Sequence, residues 1–278
     1  MPLHQAEHKT MDGFATSPGP RGVEGISVII PVFNEARTLS EIITRVLARP
    51  EVGQVIVVDD GSTDATGQLL AERRFASPRV THLRHSSNQG KGSAIRTGLT
   101  HATCPWVLIQ DADLEYDPAD YPTLSAAIQG IQHPVAVYGS RFLSPRSLGP
   151  SKSPWVGLHR LGNRLLTGLS NLLLGQRLTD EATCLKLIPL EILRRMELQE
   201  DGFGFCPEVT SKLSCLGIQI IEVPVSYSGR SKAEGKKIRL RHGIEAIQCL
   251  LRYRSWEPQQ HGQVKYPSPP MRPPPPQL

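Results

Sequence analysis

Short apolar runs alternate with amphipathic segments through the first half of the chain. The helical periodicity at 39–47 predicts a helix, and Thr38 with Glu41 matches a capping box at its start. Four runs rich in β-branched residues predict buried strands at 26–33, 55–58, 80–83 and 106–109. Because helix-length segments separate these strands, the sequence predicts an α/β fold with a Rossmann-like, mostly parallel central sheet flanked by helices.

The second half of the chain is less regular. The sequence predicts a further strand at 135–138, a basic loop rich in Pro and Ser at 144–154, and a long helix that ends at residue 174. Such additions to a sheet often contain the groups that bind a second substrate. Residues 1–24 lack apolar periodicity and residues 255–278 are rich in proline, so both are predicted to be disordered tails around one folded domain at 25–254.

Charge and cysteine content exclude several classes of protein. The net charge of +5 suits anionic partners such as phosphates or headgroups without requiring nucleic acid. The five cysteines are scattered and lack CxxC spacing, so we expect neither a disulfide framework nor a zinc site, and a cytoplasmic location fits best. No run approaches the ~20 apolar residues that a membrane-spanning helix needs. We therefore expect neither a secreted nor an integral membrane protein.

Polar residues cluster where the first two predicted strands end. Pro31, Asn34 and Glu35 close the first strand, and Asp59 and Asp60 close the second. Ligands of open α/β sheets bind beyond the carboxyl ends of the strands, and carboxylates there can accept hydrogen bonds from a base and a ribose. Each residue singly has a structural alternative, such as capping the next helix. Two adjacent acids after a buried strand, however, repel each other unless they bind something.

A phosphate site and a metal site are predicted further along the chain. Lys91 lies between two glycines at the start of a helix, whose positive N-terminus suits phosphate. Asp111 and Asp113 follow the fourth strand with one residue between them, so both carboxylates can reach one hard cation, Mg²⁺ or Mn²⁺. The sequence has no GxxxxGK[ST] motif and no glycine-rich loop after the first strand, which disfavours kinases, dehydrogenases and nucleotidyltransferases.

Together these motifs resemble glycosyltransferase family 2. The likeness covers residues 25–254 and is carried by the segments 27–35, 57–64, 88–98, 110–113, 139–142, 179–184 and 202–208. Within the family, the chain is most similar to dolichol-phosphate mannose synthases and related polyprenyl-phosphate hexosyltransferases. The resemblance implies a GT-A fold. It also implies a metal-dependent enzyme that transfers a hexose, with inversion, from GDP-mannose or UDP-glucose to a polyprenyl or dolichyl phosphate.

The resemblance also implies a set of site residues. Contacts with the nucleotide sugar would come from Pro31, Asn34, Glu35, Asp59, Asp60, Lys91 and Asp111. The Mg²⁺ or Mn²⁺ ion would bind Asp111, Asp113 and Glu115, although Glu115 stands where these synthases often carry glutamine. Phosphates of the acceptor or donor would meet Arg141, Arg160, Arg230 and Lys236. Asp180 and Glu208 are the two candidates for a catalytic role near the acceptor.

The nature of the acceptor leaves alternatives open. A phosphate monoester, with a second pKa of ~6, is already ionised at neutral pH. The alternative, a soluble hydroxyl, needs a general base. The basic, leucine-rich segment at 155–173 predicts either an internal packing helix or a helix at a membrane surface, where a separate membrane protein could also be a partner.

A non-catalytic nucleotide- or RNA-binding protein is the alternative of another class. It would use the basic stretch at 230–241. This stretch lacks the interleaved aromatic residues on which bases stack. We therefore expect no nucleic-acid partner.

Overall fold

The computed structural model describes residues 25–72, 77–143, 154–230 and 240–258. The loop predicted at 144–154 falls almost entirely outside these ranges, as do Lys236 and most of the basic stretch after Arg230. The residues predicted to form the N-terminal tail, and those from 259 onward, also lie outside them.

Seven strands form one mixed sheet in the order β3-β2-β1-β4-β6-β5-β7. Neighbouring strands are parallel except at β6, which runs antiparallel to both β4 and β5. This arrangement confirms the predicted mostly parallel sheet. The strands are β1 (Ile26–Val32), β2 (Val52–Asp59), β3 (Val80–Arg84), β4 (Trp106–Ile109), β5 (Val135–Ser140), β6 (Lys186–Pro189) and β7 (Gln219–Pro224).

Helices cover both faces of the sheet, and a short 3-10 helix at Pro118–Asp120 precedes one of them. The α-helices are α1 (Leu39–Leu47), α2 (Thr66–Leu70), α3 (Lys91–Leu99), α4 (Tyr121–Ala126), α5 (Pro154–Leu174), α6 (Leu190–Arg195), α7 (Phe205–Cys215) and α8 (Leu240–Tyr253).

Two apolar cores lie on opposite faces of the sheet. Alternate residues of β1 enter different cores, since Val28 packs with helices α1 and α4 while Ile29 packs with α3, α6 and α7. Successive side chains of a strand point to opposite faces, so a strand that is buried on both faces needs an unbroken apolar run. This requirement explains the run of apolar residues in β1 and β2.

The start of α1 differs from the predicted capping box. Thr38 is the N-cap residue, but its side chain makes no capping hydrogen bond. Its hydroxyl instead donates to the main-chain oxygen and the Oε2 atom of Glu35, at 3.3 and 3.2 Å. Glu41 pairs with Arg45 one turn later. The capping-box prediction was therefore wrong, because Glu35 and Arg45 bind the two side chains.

The end of the folded domain extends past the predicted boundary at residue 254. Trp256 packs against the core that contains Ile29, and its main-chain N–H donates to the oxygen of Tyr253 at 3.0 Å. The Nζ atom of Lys212 lies 5.0 Å from the centre of the Trp256 ring. Residues 255–256 thus belong with the folded domain and not with the proline-rich tail. Within the described ranges, no helix combines the length and apolarity needed to cross a bilayer.

Helix α3 approaches β1 closely because Gly98 has no side chain. A Cβ atom at Gly98 would lie 2.6 Å from Cγ2 of Ile29. We predict that Gly98→Ala lowers the free energy of unfolding by about 1–3 kcal/mol, because the core must shift to admit the methyl group. Gly168→Ala in α5, where a Cβ atom would meet nothing within 4 Å, is the matched control and should be neutral or stabilising. Urea denaturation of both variants tests this, and equal effects would contradict it.

Candidate active site

The carboxyl ends of β2, β1 and β4 lie side by side, because these three strands are neighbours and parallel. Asn34 joins the loops after β1 and β2. It adopts a positive φ of 54°, which asparagine tolerates better than most residues. Its Oδ1 atom accepts hydrogen bonds from the main-chain N–H groups of Thr63 and Asp64, at 2.8 and 3.3 Å. Asn34 therefore shapes this edge of the sheet, and Pro31 lies half-buried in β1 beside it.

Asp60 and Asp59 differ in how many of their carboxylate oxygens accept hydrogen bonds within the protein. Asp60 is buried and accepts from the main-chain N–H groups of Gln89 and Gly90, at 2.9 and 2.8 Å, and contacts Nδ1 of His85 at 2.7 Å. It therefore holds the loop before α3. Asp59 is also buried and lines a cavity of about 230 Å³, and its Oδ2 atom accepts no hydrogen bond but forms an ion pair with Nε of Arg84 at 3.4 Å.

Lys91 and Asp111 form a partly buried ion pair between the start of α3 and the loop after β4. Burial lowers the pKa of the Lys91 amine, but the Asp111 carboxylate raises it well above its usual range. Gly90 allows the main chain at Asp201 to pack closely against the start of α3. It has a φ of 102°, and a Cβ atom there would lie 2.4 Å from the main-chain oxygen of Asp201. Nζ of Lys91 also lies 2.9 Å from Sγ of Cys184.

Arg230 binds the carboxylates on the other side of this edge. Its guanidinium group pairs with both oxygens of Glu35 at 3.0 Å and lies 3.1 Å from Oδ2 of Asp113. Its main-chain N–H donates to Oε1 of Glu115 at 2.8 Å, and Oε2 of Glu115 accepts from the hydroxyl of Tyr227 at 2.5 Å. Glu35 is thus placed to hold Arg230.

The predicted three-carboxylate metal site is only partly assembled. Among the described residues, no three of His, Cys, Asp and Glu converge as metal ligands. Tyr227 and Arg230 hold both oxygens of Glu115, which corrects the prediction that Glu115 joins Asp111 and Asp113 in one ligand set.

The two aspartates still fit a hard cation. Burial, together with the charges of Asp111 and Glu115, raises the pKa of Asp113 to about 7. A divalent ion would relieve this repulsion. Mg²⁺ commonly binds one or two carboxylates and takes its other ligands from phosphates and water.

Arg141 and Asp180 form a second ion pair, after β5, in which Asp180 is fully buried and Arg141 is partly buried. Oδ2 of Asp180 accepts from the main-chain N and the Nε of Arg141 at 3.0 and 2.7 Å. Its Oδ1 accepts from Nη2 of Arg141 at 2.7 Å and from Nδ2 of Asn163 at 3.0 Å. Burial would raise the pKa of Asp180, but Arg141 holds it below its usual value. The guanidinium carbon of Arg141 lies 5.1 Å from the ring centre of Tyr227, which joins this pair to Glu115.

The structure does not bring Glu208 to this site. Glu208 is fully buried in α7, pairs with Nζ of Lys212 at 2.7 Å, and accepts from the main-chain N–H groups of Gln199 and Glu200. This environment does not favour the predicted catalytic role. Arg160 lies half-buried on α5, one turn before Asn163, and forms no ion pair within the described ranges.

Several residues of the site were not predicted from the sequence. Tyr227, Asn163, Cys184 and Glu222 all contact predicted site residues or the loops that hold them. No local signal identifies them, because their partners lie between 17 and 112 positions away in the chain. Tertiary packing brings these residues into place.

Comparisons with known proteins agree with this fold. The sequence profile of glycosyl transferase family 2 matches residues 27–196, which is more than half of the chain. The chain therefore belongs to glycosyltransferase family 2. The prediction of this family from sequence motifs is confirmed, and the sheet with its flanking helices is the GT-A fold.

Similar proteins include a glycosyltransferase and a polyprenol monophosphomannose synthase. Glycosyltransferase AglJ of Haloferax volcanii is 30% identical over 210 residues, which are 74% of this chain and 64% of that protein. Polyprenol monophosphomannose synthase of Mycolicibacterium smegmatis is 30% identical over 224 residues, 76% of this chain and 82% of that protein. The chain thus spans less than two thirds of the length of the Haloferax relative and most of the other.

A solved structure shares the fold at lower sequence identity. Glucosyl-3-phosphoglycerate synthase of Mycobacterium tuberculosis, in complex with Mn²⁺, UDP and phosphoglyceric acid, superimposes with a TM-score of 0.60. The identity is 21%, and the match covers 85% of this chain and 80% of that one. At this identity the likeness concerns the fold.

Glu181, next to Asp180, gives a pH-dependent prediction. Burial raises the pKa of Glu181 from 4.5 to about 7, although Lys186 opposes the shift. The folded protein thus retains a proton that the unfolded chain has lost, so stability falls as the pH rises from about 4.5 to about 7. We predict that the free energy of unfolding of Glu181→Gln, relative to that of the unmodified protein, is greater at pH 8 than at pH 5.

Urea denaturation at both pH values measures this gain. Glu191→Gln, at an exposed position of α6, is the control and should follow the unmodified protein. A difference between Glu181→Gln and the unmodified protein that does not change with pH would contradict the assignment.

Proposed function

We propose that this protein is an inverting, metal-dependent glycosyltransferase that moves a hexose from a nucleotide sugar to a polyprenyl phosphate. The observation that carries the proposal is the juxtaposition of Asp111 and Asp113 with three cationic side chains, those of Lys91, Arg141 and Arg230. A pyrophosphate and an acceptor phosphate need such cations. The relative from Mycolicibacterium, named a polyprenol monophosphomannose synthase, supports a mannosyl donor and a polyprenyl acceptor.

The donor would lie across the acidic edge of the sheet. Asp59 is the best placed residue for the nucleoside, because it lines a cavity next to the edge and its buried Oδ2 atom accepts no hydrogen bond, with the Nε atom of Arg84 3.4 Å away. Lys91 and Arg230 would meet the phosphates. A divalent ion held by Asp111 and Asp113 would neutralise the charge that develops on the departing nucleoside diphosphate. GDP-mannose is the preferred donor and UDP-glucose the second.

The state of Asp180 favours a phosphate acceptor over a hydroxyl. Four donors occupy the two oxygens of Asp180, and its lowered pKa keeps it ionised and bound to Arg141. A carboxylate so engaged is poorly suited to remove a proton from a sugar hydroxyl. An ionised phosphate needs no such base. Asp180 would then orient Arg141, which would bind the acceptor.

Transfer of labelled sugar into a lipid phase tests this proposal. We predict metal-dependent transfer from GDP-mannose to polyprenyl phosphate that EDTA abolishes. Asp111→Asn should reduce turnover at least about a hundredfold, because it removes a ligand of the metal and the partner of Lys91. Asp180→Asn should reduce it less, by about tenfold, because it alters only the hold on Arg141.

Other results of this assay would contradict the proposal. Equal losses of turnover in Asp111→Asn and Asp180→Asn would contradict the proposed roles of the two residues. Hydrolysis of the donor without a lipid product would indicate that the acceptor is a soluble hydroxyl and not a lipid phosphate. Inactivity with every donor would contradict the catalytic proposal itself.

An exposed apolar face supports a location at the membrane surface. Helices α5 and α8 pack together, and large apolar side chains on both are exposed to solvent. They are Leu161, Leu165 and Leu172 on α5 and Ile244, Ile247 and Leu251 on α8. Helix α5 contains no acidic residue, and exposed basic residues, Arg164 and Arg252, accompany the face. Apolar side chains beside basic ones suit an anionic bilayer.

The same helix reaches the proposed acceptor site. Asn163 of α5 donates to Asp180 and lies two residues after the exposed Leu161. A phosphate on a lipid that is embedded in the bilayer could therefore approach Arg141 along α5. We accordingly propose peripheral attachment to the inner face of the membrane, with the α5–α8 face in contact with lipid.

Vesicle binding tests this location. We predict that Leu165→Ser with Leu172→Ser abolishes co-sedimentation with vesicles that contain anionic lipid, because both side chains are more than 60% exposed on this face. Transfer to a short-chain, water-soluble acceptor should persist in this variant. Vesicles of neutral lipid are the control. Unchanged binding to anionic vesicles, or loss of a dimer in solution in place of loss of vesicle binding, would contradict the proposed lipid contact.

A further inference from the structure

Glu222 fastens the loop that carries Asp180. It lies half-buried on β7, opposite Tyr138 of β5 in the sheet register. Its Oε2 atom accepts from the main-chain N and the hydroxyl of Thr179, at 2.7 and 3.0 Å, and its Oε1 atom accepts from the main-chain N of Asp180 at 2.9 Å. Ser140 contacts the same Thr179 hydroxyl at 2.6 Å. One carboxylate thus fixes two successive residues of this loop.

A carboxylate at the position of Glu222 does not favour the stability of the folded protein. Within the described ranges, no Lys or Arg forms an ion pair with it. The carboxylate of Asp180 is also close enough to disfavour its charge. A half-buried anion next to another anion, held only by neutral donors, costs free energy that a neutral side chain would avoid. Such an arrangement is typical of a group that orients functional residues.

The hydrogen bonds of Asp180 lead directly to Arg141. Asp180 is fully buried and contacts both the main chain and the guanidinium group of Arg141. A displacement of the Thr179–Asp180 loop therefore moves the guanidinium group. Arg141 in turn lies close enough to Asp111 to influence its charge. A small displacement of the guanidinium group would therefore change the electrostatics of the metal-binding edge.

We propose that Glu222 is a positioning residue for Arg141. It acts through the loop at Thr179 and Asp180, and so sets how the enzyme holds the acceptor phosphate. This inference rests on the proposed function, since it assigns the acceptor phosphate to Arg141. The hold of Glu222 on Arg141 can, however, be measured without any acceptor.

The kinetic test is a double-mutant cycle. Glu222→Gln keeps the shape of the side chain but replaces one acceptor oxygen by a donor, so at least one N–H group of the loop loses its partner. We expect the KM for polyprenyl phosphate to rise about tenfold with the KM for the donor unchanged, and Arg141→Ala to raise it further. The double variant should be no worse than Arg141→Ala alone. Additive losses, or a change in the donor KM only, would overturn the proposal.

Thr179→Val provides a second variant that is less disruptive to folding. It removes the hydroxyl that donates to Glu222 and should raise the acceptor KM about twofold to threefold in the same direction. Glu191→Gln, an exposed glutamate on α6, is the control and should leave both KM values unchanged. An unchanged acceptor KM in both Glu222→Gln and Thr179→Val would also overturn the proposal.

An NMR measurement separates this inference from the proposed function. The Nε–H signal of Arg141, identified by its absence in Arg141→Lys, should exchange slowly with water because Asp180 accepts from it at 2.7 Å. In folded Glu222→Gln it should exchange at least tenfold faster. If the unmodified enzyme transfers nothing to polyprenyl phosphate but this change occurs, the proposed function fails and the positioning role stands. Unchanged exchange contradicts the positioning role.

Discussion

Buried carboxylates crowd one edge of the sheet, and each must meet a cation or an N–H group if it is to remain charged there. Lys91 meets Asp111, Arg230 meets Glu35 and Asp113, and Arg141 meets Asp180. Removal of one partner of a buried ion pair typically costs ~3–5 kcal/mol, because the other charge is left uncompensated. The loops that supply these cations come from distant parts of the chain. Charge compensation therefore ties α3 and the segment after β7 to the ends of β1 and β4, and it ties the end of β5 to the loop that carries Asp180.

Some residues of the site hold its loops in place, and others remain able to bind a ligand. Asn34, Asp60 and Asp180 use their oxygens on main-chain or side-chain donors of the protein itself. Asp59 retains an oxygen that accepts no hydrogen bond and lies 3.4 Å from Nε of Arg84, and the pKa of Asp113 is raised because burial and the nearby carboxylates outweigh the charge of Arg230. Excess negative charge at Asp113 is what a divalent ion would neutralise. The internal hydrogen bonds thus preorganise the edge, while Asp59 and Asp113 remain for ligands.

The sequence predicted the first half of the fold well because its signals are local. A strand buried on both faces reads as a continuous apolar run, and the strand at Trp106–Ile109 was predicted with its observed bounds. The antiparallel β6 and the edge strand β7 were missed, because β6 is a four-residue strand that begins with Lys186 and Glu222 interrupts the apolar pattern of β7. The buried amine of Lys186 lies 3.4 Å from the centre of the Tyr138 ring and donates to the main-chain oxygen of Glu181 at 2.9 Å, and no local pattern encodes these contacts.

The candidate site, like the fold, was predicted well only where its sequence signals are local. Motifs after strands β1, β2 and β4 identified the acidic edge, since parallel neighbouring strands end together. The sequence did not reveal that Glu115 would turn to Tyr227, or that Glu208 would pair with Lys212 inside α7. Both outcomes depend on partners supplied by tertiary packing. Motif matching thus located the acidic edge but could not assign each carboxylate to its partner.

Calorimetric binding of GDP and UDP, with and without Mn²⁺, tests the central claim most directly. If the acidic edge is the donor site, one nucleotide should bind only with the metal, and Asp113→Asn should weaken that binding at least about tenfold while the fold is retained. Metal-independent binding of equal strength in the unmodified protein and in Asp113→Asn would contradict the account. The nucleotide would then bind elsewhere on the molecule.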